Sequence, residues 1–209
     1  FDAVIHLAAL KSVSESILKP NEYFKNNCNG TSCLLSVMRS FGVKNLIYSS
    51  SATVYGIPRY LPIDEKHPLS SNNPYAETKL KIEEELRSIS EAEDGWKIVC
   101  LRYFNPVGAH ESGLIGENPR GIPNNLMPHI VNVANGELPH INIYGNDYDT
   151  IDGTGVRDYV HIMDLSESHL LALNYIGLKV INHEDIELSS IAKAGFHIFN
   201  IGTGKGCSV

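Results

Sequence analysis

Three short apolar runs, separated by segments of helical periodicity, constrain the fold of this 209-residue chain more than any other feature. Ala3-Val4-Ile5-His6-Leu7-Ala8-Ala9 is the first. Residues 44–50, with Leu46, Ile47 and Tyr48, are the second, and Trp96-Lys97-Ile98-Val99-Cys100-Leu101-Arg102-Tyr103 is the third. None alternates cleanly between polar and apolar. A strand buried on both faces has no reason to alternate, and that is the position of a strand in a parallel sheet covered by helices. Between the runs, residues 21–41 place apolar side chains at near-helical spacing and stop at Gly42. A second helix is predicted from Pro74 to about residue 92, since proline suits the first helical turn and Glu, Lys and Leu follow it. Strand, helix, strand, helix, strand predicts an α/β fold built on a doubly wound parallel sheet.

The pattern changes after Tyr103. Residues 105–125 and 142–158 are dense in Gly, Pro, Asn and Asp and read as loops, with a helix between them from Leu126 to about residue 135. Tyr159-Val160-His161-Ile162 reads as regular structure, a helix follows from about Met163 to Tyr175, and residues 196–201 form a last strand. Gly202-Thr203-Gly204 is a turn expected to open a helix, and residues 178–194 read as a polar surface excursion.

Composition removes several classes of function. A formal net charge of -7 and the absence of any Lys/Arg-rich run argue against a nucleic-acid partner. No apolar stretch reaches the roughly 20 residues needed to span a membrane. The four cysteines lack Cys-x-x-Cys spacing and the nine histidines are scattered. A reduced, cytoplasmic setting without a metal site is the expectation.

The chemistry concentrates in Tyr75-Ala76-Glu77-Thr78-Lys79. A spacing of four puts Tyr75 and Lys79 on one helical face, one turn apart. An ammonium beside a phenol favours the phenolate, so Lys79 is expected to lower the Tyr75 pKa and fit the phenol for general-base work. Upstream, Ser49-Ser50-Ser51-Ala52-Thr53-Val54-Tyr55-Gly56 ends the second strand. The loops at residues 8–11, 49–53 and 104–108 follow carboxyl ends of strands, where open α/β sheets bind ligands. Tyr-x-x-x-Lys alone is common on surface helices; the Ser-rich strand end gives it context. His6 reads as a core histidine, and Tyr55 has no lysine four residues on.

With those segments in place, the chain resembles the UDP-galactose 4-epimerase family, within the extended short-chain dehydrogenases/reductases, over nearly all of its length. His6-Leu7-Ala8-Ala9-Leu10-Lys11, the Ser motif, Pro74-Tyr75 with Lys79, and Leu101-Arg102-Tyr103-Phe104-Asn105-Pro106-Val107-Gly108-Ala109 carry the resemblance. So do Gly121-Ile122-Pro123-Asn124-Asn125-Leu126-Met127-Pro128, Tyr144-Gly145-Asn146-Asp147-Tyr148 and Gly153-Thr154-Gly155-Val156-Arg157-Asp158-Tyr159. The resemblance implies an isomerase with a Rossmann-like domain that retains NAD and interconverts UDP-galactose and UDP-glucose through a 4-keto sugar. Tyr75 would take the 4-hydroxyl proton, Ser51 would share that oxygen, and Lys79 would hold the nicotinamide ribose. Leu7, Ala8, Ala9, Leu10, Lys11, Asn26, Ser51, Tyr75, Lys79 and Phe104 would contact the cofactor. Lys11, Ser51, Tyr75, Asn105, Asn125, Leu126, Asn142, Tyr144 and Arg157 would contact the UDP-sugar. Leu7 and Ala9 depart from the Phe and Gly common in the family. Homodimers are usual there, and the helices starting at residues 21 and 74 are the expected interface.

The same resemblance divides the chain into residues 1–108, the C-terminal part of the NAD-binding domain; 109–155, substrate-binding loops and a helix, part of a smaller substrate-binding domain; and 156–209, a strand-helix-strand unit partly returning to the first. Phe1 opens directly on a strand, and the chain stops just beyond a Gly-rich turn. Both ends are therefore expected to be cuts in a longer protein. The N-terminal strands and the Gly-rich turn that seats a pyrophosphate are expected before Phe1. The isolated piece is expected to be inactive. A sugar-nucleotide dehydratase or another epimerase on the same scaffold, and a non-catalytic nucleotide-binding regulator, stand as alternatives. The intact Ser51, Tyr75 and Lys79 set speaks against the regulator.

Overall fold

The computed structural model describes residues 1–119, 123, 125–180 and 192–208. In chain order the strands are β1 (Val4–His6), β2 (Asn45–Ser51), β3 (Lys97–Tyr103), β4 (Asn105–Val107), β5 (Val156–His161), β6 (Gly195–Ile201) and β7 (Gly206–Ser208). The α-helices are α1 (Val13–Leu18), α2 (Pro20–Tyr23), α3 (Gly30–Ser40), α4 (Pro74–Ala92), α5 (Leu126–Ala134) and α6 (Ile162–Tyr175). A π-helical stretch, Phe24–Asn29, joins α2 to α3, and a 3-10 turn, Ala52–Tyr55, follows β2.

The first compact unit holds Phe1–Tyr103 and Glu167–Ile201. Its sheet has the order β1-β2-β3-β6, and every neighbouring pair is parallel. Successive strand residues face opposite sides, so each strand feeds two cores. Leu46, Tyr48, Ile98 and Cys100 face one side, with Leu35 and Met38 of α3 and Ile82, Leu86 and Ile89 of α4. Ile47, Val99 and Leu101 face the other, with Ala172, Leu173 and Ile176. This two-sided burial is why β2 and β3 read as continuous apolar runs; the first run departs from that expectation, since β1 is at the end of the described sheet and is only partly covered, with Ile5 exposed. Full burial of each such aliphatic side chain contributes about 1.5–3 kcal/mol.

The long helix forms where its sequence signals place it. Asn73 caps α4 by accepting the Ala76 N–H at 2.9 Å, and Pro74 occupies the first helical position. Helix α1 was not foreseen, although its signal is present. Ser12 accepts the Glu15 N–H at 3.3 Å, the first half of a capping box.

The second unit holds Phe104–Ser166 and Gly202–Val209. Its three-stranded sheet has the order β4-β5-β7, with β4 parallel and β7 antiparallel to β5. Three sequence expectations are corrected here. The stretch expected to be loop from residue 105 begins with β4, and the one expected to be loop to residue 158 already contains the start of β5. The turn at residues 202–204 leads into β7, not a helix. The reason is Asp158, whose carboxylate accepts the Thr203 N–H at 2.9 Å, the Thr203 hydroxyl at 2.7 Å and the Gly204 N–H at 2.8 Å. That clasp sets the turn beside β5, and residues 206–208 then pair with it. The expected excursion at 178–194 falls mostly on residues 181–191, and Gly121, Ile122 and Asn124 belong to a motif quoted above; all of these lie outside the described residues.

Among the described residues, no helix is long and apolar enough to cross a membrane, and no group of three or more His, Cys, Asp or Glu is placed to hold a metal.

Candidate active site

Helix α4 turns one face inward. Tyr75, Lys79 and Glu83, at successive four-residue steps, are 9%, 3% and 4% exposed. The Lys79 ammonium donates to the Ser49 carbonyl at 2.5 Å. Its Nζ lies 4.8 Å from the Tyr48 ring centroid and 5.8 Å from that of Tyr75. Burial pulls Lys79 down to about 8, and nearby Cys100, Glu83 and Cys28 work against that pull.

Tyr75 corrects one expectation. Its phenol is pushed above its ordinary pKa, because burial disfavours the phenolate more than any neighbour favours it. The group that eases the phenol downward is Ser51, by a side-chain hydrogen bond. Spacing brought Lys79 to the same face, but its ammonium is engaged at the Ser49 carbonyl and sits nearer Tyr48 than Tyr75. Ser51 ends β2 and caps the 3-10 turn; its Oγ accepts the Thr53 N–H at 3.3 Å and the Thr53 hydroxyl at 3.0 Å. With two donors directed at that oxygen, the serine proton is left for the phenol oxygen.

The segment after β1 lies at the carboxyl end of the sheet. Leu7 is 60% exposed, Ala8 and Lys11 are exposed, and Ala9 and Leu10 are half-buried. Asn27 holds this segment, a residue that sequence reading passed over. Its Oδ1 accepts the Leu10 N–H at 2.8 Å, and its Nδ2 donates to the Leu10 carbonyl at 3.0 Å and to Thr78 Oγ1 at 3.2 Å. Thr78 in turn donates to the Tyr75 carbonyl at 2.7 Å. Asn27 thus ties the loop after β1 to the first turn of α4. Asn26, the residue singled out from the sequence, is exposed and donates to Asn27 Oδ1 at 3.0 Å. The available signal was an asparagine inside a helical stretch, which weak helix propensity marks as having another task. His6 meets Thr31 Oγ1 at 2.9 Å, as a core histidine does.

These groups fit a dinucleotide end. The buried Lys79 ammonium has three donor hydrogens and one hydrogen bond among the described residues, leaving two for the hydroxyl oxygens of a ribose. The exposed Leu7 side chain offers an apolar face of the kind a flat heterocycle covers.

In the second unit, Phe104 packs against Gly202, where an added Cβ would come within 3.0 Å of the Phe104 ring and 2.7 Å of the Asp158 carboxylate. Asn105 donates to the Asp158 carbonyl at 3.0 Å. Asn125 precedes α5, makes no side-chain cap, and donates to Glu117 at 3.0 Å; Leu126 is the first helical residue. Asn142, Tyr144 and Arg157 are exposed. Arg157 donates to its neighbour's carbonyl, Val156 O, at 2.8 Å and does not pair with Asp158, which holds the turn described above.

Known proteins similar to this chain include several epimerases. Over 209 residues the chain is 52% identical to UDP-glucose 4-epimerase 2 of Arabidopsis thaliana, and over 210 residues it is 51% identical to UDP-glucose 4-epimerase of Homo sapiens. All of this chain is covered in each case and 56% of the relative, so the chain spans a little over half their length. Among solved structures, UDP-glucose 4-epimerase from Bifidobacterium longum in complex with NAD+ and UDP superposes with a TM-score of 0.89 at 50% identity, covering 100% of this chain and 58% of that one. The enzyme from Stenotrophomonas maltophila, with bound NAD and formylated UDP-arabinopyranose, gives 0.89 at 45% identity, again covering 100% and 58%. A family profile matches residues 1–183, and with it the chain belongs to the NAD dependent epimerase/dehydratase family.

Proposed function

We propose that the protein containing this chain is an NAD-dependent isomerase that interconverts UDP-galactose and UDP-glucose. The carrying observation is that Tyr75 and Lys79 share a buried face of α4, with the half-buried Ser51 hydrogen-bonded to the Tyr75 phenol. Relatives of about half identity named as UDP-glucose 4-epimerases support the substrate. Bound NAD supplies hydride acceptance and hydride return at the sugar's C4. The chain's own residues handle the proton and the positioning. Tyr75 takes the proton of the 4-hydroxyl as that carbon is oxidised, and gives it back on reduction. Ser51 donates to the same region and eases formation of the phenolate. Lys79 holds the nicotinamide ribose with its two remaining donors, and its positive charge stabilises the phenolate once the site is closed to water. The 4-keto sugar turns over before reduction, so the returned hydrogen enters from the other face and the product is the C4 epimer.

In this reading residues 1–108 form the cofactor-binding part, 109–155 the substrate loops and 156–209 the returning unit. Leu7, Ala8, Ala9, Leu10, Lys11, Asn26 and Phe104 meet the cofactor, and Asn105, Asn125, Leu126, Asn142, Tyr144 and Arg157 meet the UDP-sugar. Arginine suits the diphosphate because its planar fork matches phosphate oxygens. Exposed Val37 and Phe41, at the end of α3, support a homodimer through α3 and α4. Four free cysteines support a reducing, cytoplasmic setting. A dehydratase would place an acid beside Thr53, where the fully buried Val54 stands instead.

The test is conversion of UDP-galactose to UDP-glucose by the whole protein without added NAD, wild type against Tyr75→Phe. Conversion by the wild type and a 10²–10⁴-fold loss in the variant is expected, the usual span for a positioned acid–base group. A wild type that binds NAD yet converts neither sugar refutes the reading.

A further inference from the structure

One buried polar cluster beneath the site is not used by the proposed chemistry. Glu83 follows Lys79 by one turn, on the same inward face of α4. Its Oε1 accepts the Ser50 hydroxyl at 2.5 Å and Arg102 Nε at 3.0 Å, and its Oε2 accepts Arg102 Nη2 at 2.6 Å. Ser50 and Arg102 are paired neighbours in β2 and β3, each 1% exposed. Arg102 is anchored from behind: Nη1 donates to Tyr55 Oη at 2.9 Å, its guanidinium lies 4.9 Å from the Tyr55 ring centroid, and Tyr55 donates to Asn200 of β6 at 2.6 Å. The chain Glu83–Arg102–Tyr55–Asn200 therefore crosses from the helix to β3, the 3-10 turn and β6.

Such a cluster is a poor way to gain stability. Removing two charges from water offsets most of their attraction, and apolar side chains of equal volume do as well or better. What a forked, three-bond grip supplies is direction. The aliphatic residues of α4, Ile82, Leu86 and Ile89, tolerate small rotations, whereas the Arg102–carboxylate fork does not. A rotation of roughly 10° about the helix axis moves a side-chain tip by about 1 Å, and a misplacement of that size costs on the order of 10²-fold in rate.

We propose that Glu83 is a positioning residue for Tyr75 and Lys79, fixing the rotation of α4 through Ser50 and Arg102 and placing a counter-charge one turn from the ammonium; the proposal rests on the epimerase reading for its kinetic effect. The groups that face Lys79 are Tyr75 and Glu83 of α4, Tyr48 of β2, Cys100 of β3, Cys28 of the π-helical stretch and His6 of β1. Glu83 is the carboxylate among them, and it holds the ammonium up against burial.

The test uses the whole protein with its cofactor. Glu83→Gln keeps the shape and removes the charge; Glu83→Asp keeps the charge and shortens the reach. In Glu83→Gln, kcat per folded, cofactor-loaded molecule is expected to fall 10–100-fold with KM within threefold, and the alkaline limb of the kcat profile to move to lower pH. In Glu83→Asp the limb stays near the wild type while kcat still falls. Lysine-specific 13C NMR of Lys79 gives a readout independent of turnover: its titration moves down in Glu83→Gln and holds in Glu83→Asp. Should Glu83→Gln not fold, Tyr55→Phe, which leaves the ion pair in place and frees one side of Arg102, is expected to lower kcat several-fold at unchanged KM. A kcat within twofold of the wild type in Glu83→Gln, or in Tyr55→Phe where it is the variant that folds, overturns the proposal. A Lys79 titration that moves as expected in a protein that converts no UDP-sugar upholds the counter-charge and sinks the epimerase reading instead.

Discussion

Lys79→Met is expected to stabilise the nucleotide-free protein at pH 7 while abolishing its activity. Lys79 is 3% exposed, and burial draws its pKa from an ordinary 10.5 to about 8. That depression corresponds to about 3 kcal/mol of destabilisation whenever the ammonium is charged in both folded and unfolded states. Methionine keeps the unbranched stem and removes the charge. It also forfeits the bond to the Ser49 carbonyl, about 1 kcal/mol, so the net gain at pH 7 is about 2 kcal/mol. For a chain of this size that is about 4–8 °C in Tm. The pH dependence carries the reasoning. Between pH 8 and 10.5 the unfolded lysine holds its proton and the folded one has released it, so wild-type stability rises with pH through that window. Below pH 8 the full penalty applies; above 10.5 it is gone. The stability gap between variant and wild type should therefore shrink across the window and reverse to about 1 kcal/mol in favour of the wild type above it, where only the lost hydrogen bond remains. Urea unfolding from pH 6.5 to 10.5, without nucleotide so that binding adds nothing to either protein, measures it. A variant less stable at pH 7, or a gap that stays constant with pH, refutes the argument.

Three further outcomes follow from the same geometry. Ser51→Ala removes the hydrogen bond that eases the Tyr75 phenol downward; kcat should fall about 10–100-fold and the acid limb of kcat/KM should move to higher pH, whereas an unmoved limb means the bond does not act on the base. Asp158→Asn replaces an acceptor of three donors with a group that has its own N–H bonds to place; a loss of about 1.5–3 kcal/mol is expected in denaturant titration. Trp96→Ala empties a fully buried site in the α4 core, and a drop of about 3–5 kcal/mol should appear in thermal unfolding.

Local rules made much of this legible in the chain itself. Apolar runs without alternation gave the parallel strands, Pro74 with the Glu, Lys and Leu that follow it gave α4 with its observed ends, and a spacing of four gave the shared face of Tyr75 and Lys79. Each depends on backbone geometry over a few residues, so sequence neighbours suffice. Tertiary structure decided the rest. The sign of the Tyr75 shift depends on how deeply the phenol is buried, which spacing does not report. Asn27 matters because the loop after β1 passes it, 17 residues away in the chain. Glu83 meets Arg102 only because β2 and β3 are in register beneath α4, and β7 is a strand only because Asp158 gathers the turn before it. In each case a buried polar group needs a partner, and which partner it finds is set by the packing of distant segments rather than by the residues beside it.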